Sequence, residues 1–398
     1  MINLEGRRIA FLSHEVEGAT GFPAAFAIYL KKAQADLAYV KFPFAMSDTK
    51  SIWVEKYRGE TRIYKSQSWI RFFKPELVSY AKDMLWLFTV GWRHVAGAEF
   101  VLASNNLLGL GALVLRKLGL VSKFAYLIVD YSPIRFSNPW VERLYIYLDR
   151  LVATSADSVW TMSMPMLEAR EHAGRLKMAE VRWRLAPMGN NADVIFANGD
   201  VPHDPRLLMY VGNTKATNVR PDFLLDVAFQ LKKAGETFSL VYVGPGSTDH
   251  LVEKARTLGI EEYVRFRGTI PEAIDLERYL AGGGIGLAPY DPHLKNNFSR
   301  YADPAKIKTY LGCGLPVLST DVPSIAQELE SRGAGFVTEF TPEAFATNIQ
   351  KLWNDPKLYD QMRRSAIEMG LEYSWSRIFD RLVRDEGLQQ EITIPDRR

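Results

Sequence analysis

The 398-residue sequence has one cysteine, Cys313, which excludes an internal disulfide and any multi-cysteine zinc site and suits a reducing compartment. Histidine is also sparse: six are scattered along the chain with no metal-ligand spacing,. No Walker A sequence occurs, and no two aspartates lie two positions apart, so a D-x-D metal motif is missing and a bound divalent cation is not required,. The nearest approach to a dinucleotide fingerprint is Gly244-Pro245-Gly246. Asp249 occupies the third glycine's place there, and its carboxylate would repel a pyrophosphate, which argues against a dehydrogenase,. Long apolar runs are missing too. The best window, Met84 to Ala103, is interrupted by Arg93, His94 and Glu99, whereas a spanning helix needs about 20 largely uncharged residues,. The early run Ile9 to Leu12 is shorter than a signal-peptide core of about 7–15 residues,. The expectation is a cytoplasmic chain without an export signal.

What is present is an ordinary folded composition, 47% hydrophobic and 24% charged, on a length that suits two cores. The net charge of +3 is uneven: residues 1–200 hold 25 Lys/Arg against 19 Asp/Glu. Arg8 to Ser13 reads as a buried strand, followed by a loop with Gly18 and Gly21 and a helix from about Phe22 to Ala35,. Strand-like runs at Asp36–Phe42, Glu99–Ser104, Lys123–Asp130 and Ser158–Ser163 alternate with helical stretches such as Leu107–Leu118 and Pro139–Ala153. That alternation predicts a parallel sheet covered on both faces. A polar, proline-containing segment, 198–206, reads as a linker, after which the rhythm restarts at Leu207–Gly212 and Phe238–Gly244. The expected fold class is α/β, with two Rossmann-like domains, 1–197 and 207–372, and a tail, 373–398, beyond them.

The segment from Ile52 to Trp92 interleaves Lys56, Arg58, Arg62, Lys65, Arg71, Lys74 and Lys82 with Trp53, Tyr57, Tyr64, Trp69, Phe72, Phe73, Tyr80, Trp86 and Trp92. Such a surface suits an anionic membrane face or a lipid-linked or sugar substrate; alternatively the aromatics are core and the cations solvated.

The strongest local signal is Tyr290 to Asp321. A helix is expected from near Pro304 with Asp303 as its N-cap,. Its open N–H groups, joined by Lys306 on the first turn, would seat a phosphate. Gly312 and Gly314 end it before a buried strand.

Pro304, Lys306, Thr309-Tyr310 and Gly314-Leu315-Pro316-Val317 resemble the GT-B-fold nucleotide-sugar glycosyltransferases, especially the family 4-like group. Tyr210-Val211-Gly212, Val243-Gly244-Pro245-Gly246, Val264 to Gly268 and Gly286 to Tyr290 are similar to that family's successive strand ends, and Ala156 to Ser163 and Pro187 to Asn190 to its interdomain entry. Tyr373-Ser374-Trp375-Ser376 resembles the start of the helix that returns to the N-terminal domain. The resemblance implies two domains facing across a cleft, 1–197 holding the acceptor and 207–372 the nucleotide sugar, with 373–398 packing back on the first. It also implies donor contacts at Gly212, Asn213, Lys215, Gly244, Gly246, Gly268, Tyr290, Lys306, Thr309 and Tyr310. The family's paired glutamates are replaced by Tyr301 and Thr309. The Lys-x-x-polar-Tyr helix also resembles that of the inverting xanthan-assembling glucuronosyltransferase, whose type draws its base from the N-terminal domain.

Asp130, expected at a strand's end before Pro133, is the candidate base; the other reading is that it caps a turn or pairs with Arg135. His14 and Glu15, at the end of the first strand, are the next candidates. The expected reaction is a metal-independent, cofactor-free, inverting hexosyl transfer from a UDP- or GDP-sugar to a glycan or lipid-linked acceptor for cell-surface polysaccharide, with peripheral contact at the inner membrane face and no nucleic acid. A nucleotide-sugar 2-epimerase-type isomerase and a catalytically degenerate sugar-nucleotide binding protein are the alternatives.

Overall fold

The computed structural model describes every residue except 16–20, 45–49, 72, 73, 75, 296 and 390–398. Gly18, Phe72 and Phe73, singled out above, lie outside the described residues. The chain divides into two compact units, Met1–Pro187 with Ser376–Arg398, and Met188–Trp375. The expected linker, 198–206, lies within the second unit.

The first unit's sheet contains β1 (Arg8–Glu15), β2 (Asp36–Pro43), β3 (Ser51–Arg58), β4 (Thr61–Arg71), β5 (Phe100–Ala103), β6 (Lys123–Ile128), β7 (Ser158–Thr161) and β8 (Trp183–Leu185), in the order β4-β3-β2-β1-β5-β6-β7-β8. β2, β1 and β5 to β8 run parallel, and β5 and β7 are buried along their whole length, as parallel strands covered on both faces are. β3 and β4 are antiparallel additions at one edge. Arg58 pairs with Thr61, so Gly59-Glu60 forms a two-residue turn with Gly59 at φ +54°,. The alternation of cations and aromatics between 52 and 71 is therefore a strand period. Its side chains divide: Ile52 and Val54 are buried, whereas Ile63, Tyr64 and Trp69 on the edge strand are exposed. Further along, Trp86 joins the core.

The first unit is completed by the helix Trp375–Asp385. Phe379 packs against Phe22, Phe26 and Tyr29 at ring-centroid distances of 5.2, 5.1 and 5.3 Å. Beyond it, Glu386 accepts hydrogen bonds from Ser158 Oγ (2.6 Å) and Trp160 Nε1 (3.0 Å).

The second unit's sheet contains β9 (Leu207–Val211), β10 (Ser239–Val243), β11 (Val264–Gly268), β12 (Ile285–Ala288), β13 (Val317–Ser319) and β14 (Gly335–Val337), in the order β11-β10-β9-β12-β13-β14. All its pairings are parallel. One core joins the sheet to its helices, with Tyr210, Tyr242, Tyr310 and Phe345 among the fully buried side chains. The two segments by which the chain enters and leaves this unit are fastened to each other. Asn190 N–H donates to Tyr373 O (3.1 Å), Trp375 N–H donates to Asn190 O (2.9 Å), and Gly189 leaves room for the Trp375 ring, which a side chain there would strike.

Candidate active site

In each sheet the strand order reverses once, and open α/β sheets bind ligands at the carboxyl ends of the strands flanking that reversal. In the second unit those strands are β9 and β12. β9 leads into Gly212, at φ +143°, and β10 into Gly244 and Gly246, at φ +142° and +112°. A side chain on Gly244 would run into the Gly212 backbone, and one on Gly246 into Asn213 and Thr214, so the two loops lie against each other at these glycines,. Thr214 N–H donates to Pro245 O (2.9 Å) and its hydroxyl to Ser247 O (3.0 Å). Asn213 Oδ1 accepts Lys215 N–H (2.8 Å), which shapes the turn and leaves the Lys215 side chain exposed. Gly268, at φ +75°, closes β11 at the edge of the sheet, its carbonyl accepting Gly244 N–H (3.0 Å).

On the β12 side stands the helix Ala305–Gly312, with Pro304 before its first residue and no side chain capping it, so its leading N–H groups stay open,. Asp303 is not its N-cap, contrary to expectation. The carboxylate turns inward, accepts Met188 N–H at 2.6 Å and lies 3.8 Å from Lys308 Nζ. The proximity of Lys308 and Met188 explains the turn, because a buried carboxylate needs both charge and hydrogen-bond partners. Lys308 is buried over the Tyr373 ring at 2.9 Å, and burial lowers its ammonium to about 8. Lys306, two residues earlier, points elsewhere, as i and i+2 residues on a helix do. Its Nζ lies 4.4 Å from the centroid of Tyr210 and 5.8 Å from that of Tyr290, close to Gly212. Burial lowers it to about 7, and among the described residues no carboxylate pairs with it. A cation against two π faces beside glycine-lined loops has the chemistry to hold an anion.

Thr309 is partly buried one turn on from Lys306. Tyr310 is fully buried, and its hydroxyl accepts Val211 N–H (2.8 Å) and donates to Leu287 O (3.1 Å), tying β9 to β12 at the reversal. Tyr310→Phe leaves that N–H unpaired and is expected to cost about 1–3 kcal/mol, measured by urea unfolding. Tyr290, 3% exposed, lies beneath Lys306. Tyr210, whose ring is nearest the ammonium, is marked in the sequence only by its aromaticity at the last-but-one position of β9.

In the first unit the reversal lies between β1 and β5. His14 sits there, buried, its Nδ1 accepting from Asn105 Nδ2 (2.6 Å) and its Nε2 donating to Asp83 Oδ2 (3.3 Å). Asn105 Oδ1 accepts Leu108 N–H (2.9 Å), which fixes the amide and so the imidazole tautomer,. Both ring nitrogens are thus occupied. Glu15 accepts from Tyr39 Oη and is raised by burial to about 7, with Lys41 opposing the shift. Asp130 lies two residues beyond β6, exposed, with both carboxylate oxygens bound by Arg135 Nη1 at 3.1 and 2.9 Å. Among the described residues no three His, Cys, Asp or Glu gather as metal ligands would.

Residues 205–355 match the family model described as Glycosyl transferases group 1. The second unit carries a group 1 glycosyltransferase domain. The whole chain has the GT-B glycosyltransferase fold. It is similar to sucrose-phosphate synthase from Thermosynechococcus elongatus (16% identity, TM-score 0.69, 96% of this chain and 99% of that one). It is also similar to Anabaena HepE in complex with UDP (14%, 0.64, 96% and 99%). A third likeness is to WaaG, a glycosyltransferase involved in lipopolysaccharide biosynthesis (13%, 0.63, 95% and 99%). TuaH of Bacillus subtilis (strain 168), provisionally assigned as a teichuronic acid biosynthesis glycosyltransferase, is 23% identical over 186 residues, 46% of this chain and 44% of that relative's length. The matched part thus spans less than half of TuaH.

Proposed function

We propose that the protein transfers a hexosyl group from a nucleoside diphosphate sugar, UDP- or GDP-linked, to a glycan or lipid-linked acceptor in the synthesis of a cell-surface polysaccharide or glycoconjugate, with inversion and without a metal. Lys306 carries this reading: a partly buried ammonium, unpaired among the described residues, at the carboxyl end of a glycine-rich α/β sheet, beside an uncapped helix N-terminus. These groups suit a diphosphate. UDP as the nucleotide is supported by the HepE complex, and the acceptor class by the roles of TuaH and WaaG.

In this reading the diphosphate lies along Gly212, Asn213 and the leading turn of the 305–312 helix, with Lys215, Gly244, Gly246, Tyr290 and Thr309 around it. Asp130 takes the acceptor hydroxyl's proton as the oxygen attacks the anomeric carbon. The bond from that carbon to the phosphate oxygen breaks, and the diphosphate leaves with the electron pair, its charge stabilised by Lys306 and the open N–H groups. The first unit contacts the inner membrane face.

The test is release of free nucleoside diphosphate from UDP- and GDP-sugars, without acceptor and then with candidate glycans. Slow release that Lys306→Ala removes is the expected result. Tight nucleotide binding with no turnover under any condition would overturn the catalytic reading.

A further inference from the structure

The helix Pro139–Ser155, PWVERLYIYLDRLVATS, carries large apolar side chains on its outward side as well as its inward one, and only part of it is covered,. Its acids face the protein. Glu142 accepts from Arg135 N–H (3.2 Å), Phe136 N–H (2.9 Å) and Arg175 Nη2 (3.3 Å), and Asp149 pairs with Arg170 Nε at 3.2 Å and accepts from Tyr126 Oη at 2.5 Å. Trp140, Leu144 and Tyr147 recur at helical spacing on the opposite side and are 76%, 57% and 63% exposed,. Ile134, just before the helix, is 73% exposed. Arg143 lies over the Trp140 ring at 5.3 Å, and Arg150 lies on the same flank, bridging to Glu180 at 3.3 Å.

An outward stripe of large apolar side chains with cations beside it, on a helix whose own carboxylates are turned away, complements a surface that is apolar within and negative at its rim. We infer that this stripe lies on the anionic face of a phospholipid bilayer, with Trp140, Leu144 and Tyr147 entering the headgroup boundary and Arg143 meeting the phosphates. The inference rests on the membrane contact proposed above and gives it a place other than the 52–92 segment. The neighbouring Asp130 adds little opposing charge, because Arg135 holds it. No described helix is long and apolar enough to cross a membrane, so the contact is a surface one.

Flotation of the full chain with phosphatidylglycerol-containing and with purely phosphatidylcholine vesicles tests this. The expected result is flotation with the anionic vesicles at low salt, weakened about tenfold or more by combined Trp140→Ala and Leu144→Ala, with the unfolding midpoint unchanged because both side chains are exposed. Equal flotation of variant and parent overturns the inference, and loss with Trp69→Ala and Ile63→Ala instead assigns the contact to the β3–β4 edge. Equal binding to neutral vesicles overturns the anionic part. A parent that stays at the bottom of the gradient but forms a dimer broken by the Trp140 and Leu144 changes makes a second copy the occupant. Nucleotide release without vesicles is read in parallel and should be unchanged in this variant; a parent that floats yet turns over no donor, with or without candidate acceptors, would sink the transferase reading while leaving the membrane contact standing.

Discussion

Asp130→Asn is expected to lower the transfer rate by about 10²–10⁴, the usual contribution of a positioned general base, while nucleotide affinity and the unfolding midpoint stay near those of the parent. The two roles open to this carboxylate differ enough in magnitude to be separated by one rate measurement. As a partner of Arg135 it forms an exposed ion pair, its side chain 59% and that of Arg135 37% accessible, and such pairs contribute about 0–1 kcal/mol. Losing that would change the rate only several-fold through local disorder. As a base it must be lost almost entirely, because the amide has no site for the proton. A variant keeping more than about a tenth of the rate leaves Asp130 as a loop anchor. Glu15 is then the stronger of the two remaining candidates. Its carboxyl is held at about 7 by burial, a value suited to accepting a proton near neutrality,, whereas both nitrogens of His14 are engaged with Asn105 and Asp83. A product that keeps the donor's anomeric configuration, read by the anomeric proton coupling, would overturn the inverting mechanism in any case.

Removing the ammonium of Lys306 should weaken binding of a nucleoside diphosphate by about 1.5–3 kcal/mol, or roughly 10–150-fold, in a calorimetric titration of Lys306→Ala. The same side chain imposes a pH dependence whose sign is fixed. Burial holds it at about 7 in the free protein, so above that value it is largely neutral. A bound diphosphate favours the charged form and raises its pKa, so binding takes up a proton and affinity falls as pH rises from about 7 towards the raised value. Titrations at about pH 8 in buffers of different ionisation enthalpy should report uptake by the parent. Lys306→Arg, whose guanidinium is always charged, should show neither the uptake nor the slope. Unchanged affinity in the alanine variant would move the phosphates away from this helix.

The second unit was the more legible half of the sequence because its signals are backbone signals. Glycines at strand ends and a proline at a helix start constrain conformation wherever they occur, and Gly212, Gly244 and Gly246 stand at the loops flanking Lys306. Side-chain direction is another matter. Asp303 looked like a cap from its position before Pro304, and only the approach of Met188, more than a hundred residues distant, shows why it turns inward. Tyr310 and Thr309 are adjacent, yet one is sealed between strands and the other is not. The β3–β4 hairpin was hidden because its alternation was read as surface chemistry, although a period of two with Gly59 between the halves is a strand-turn-strand pattern. Nothing local announces that Arg135 grips Asp130 or that His14 is consumed on both nitrogens, because those partners are assembled by tertiary packing.

The discontinuity of the first unit has a consequence during synthesis. Its sheet is complete once β8 has left the ribosome, but the aromatic cluster around Phe26 still lacks Phe379, and Trp160 Nε1 still lacks Glu386. Those groups are translated only after the entire second unit. The N-terminal unit therefore waits with an open apolar seam while the later one, contiguous from Met188 to Trp375, can close by itself. The order of completion is the reverse of the order of translation, and a chain cut short after residue 374 would keep a folded second unit while leaving its partner unsealed and exposed to aggregation.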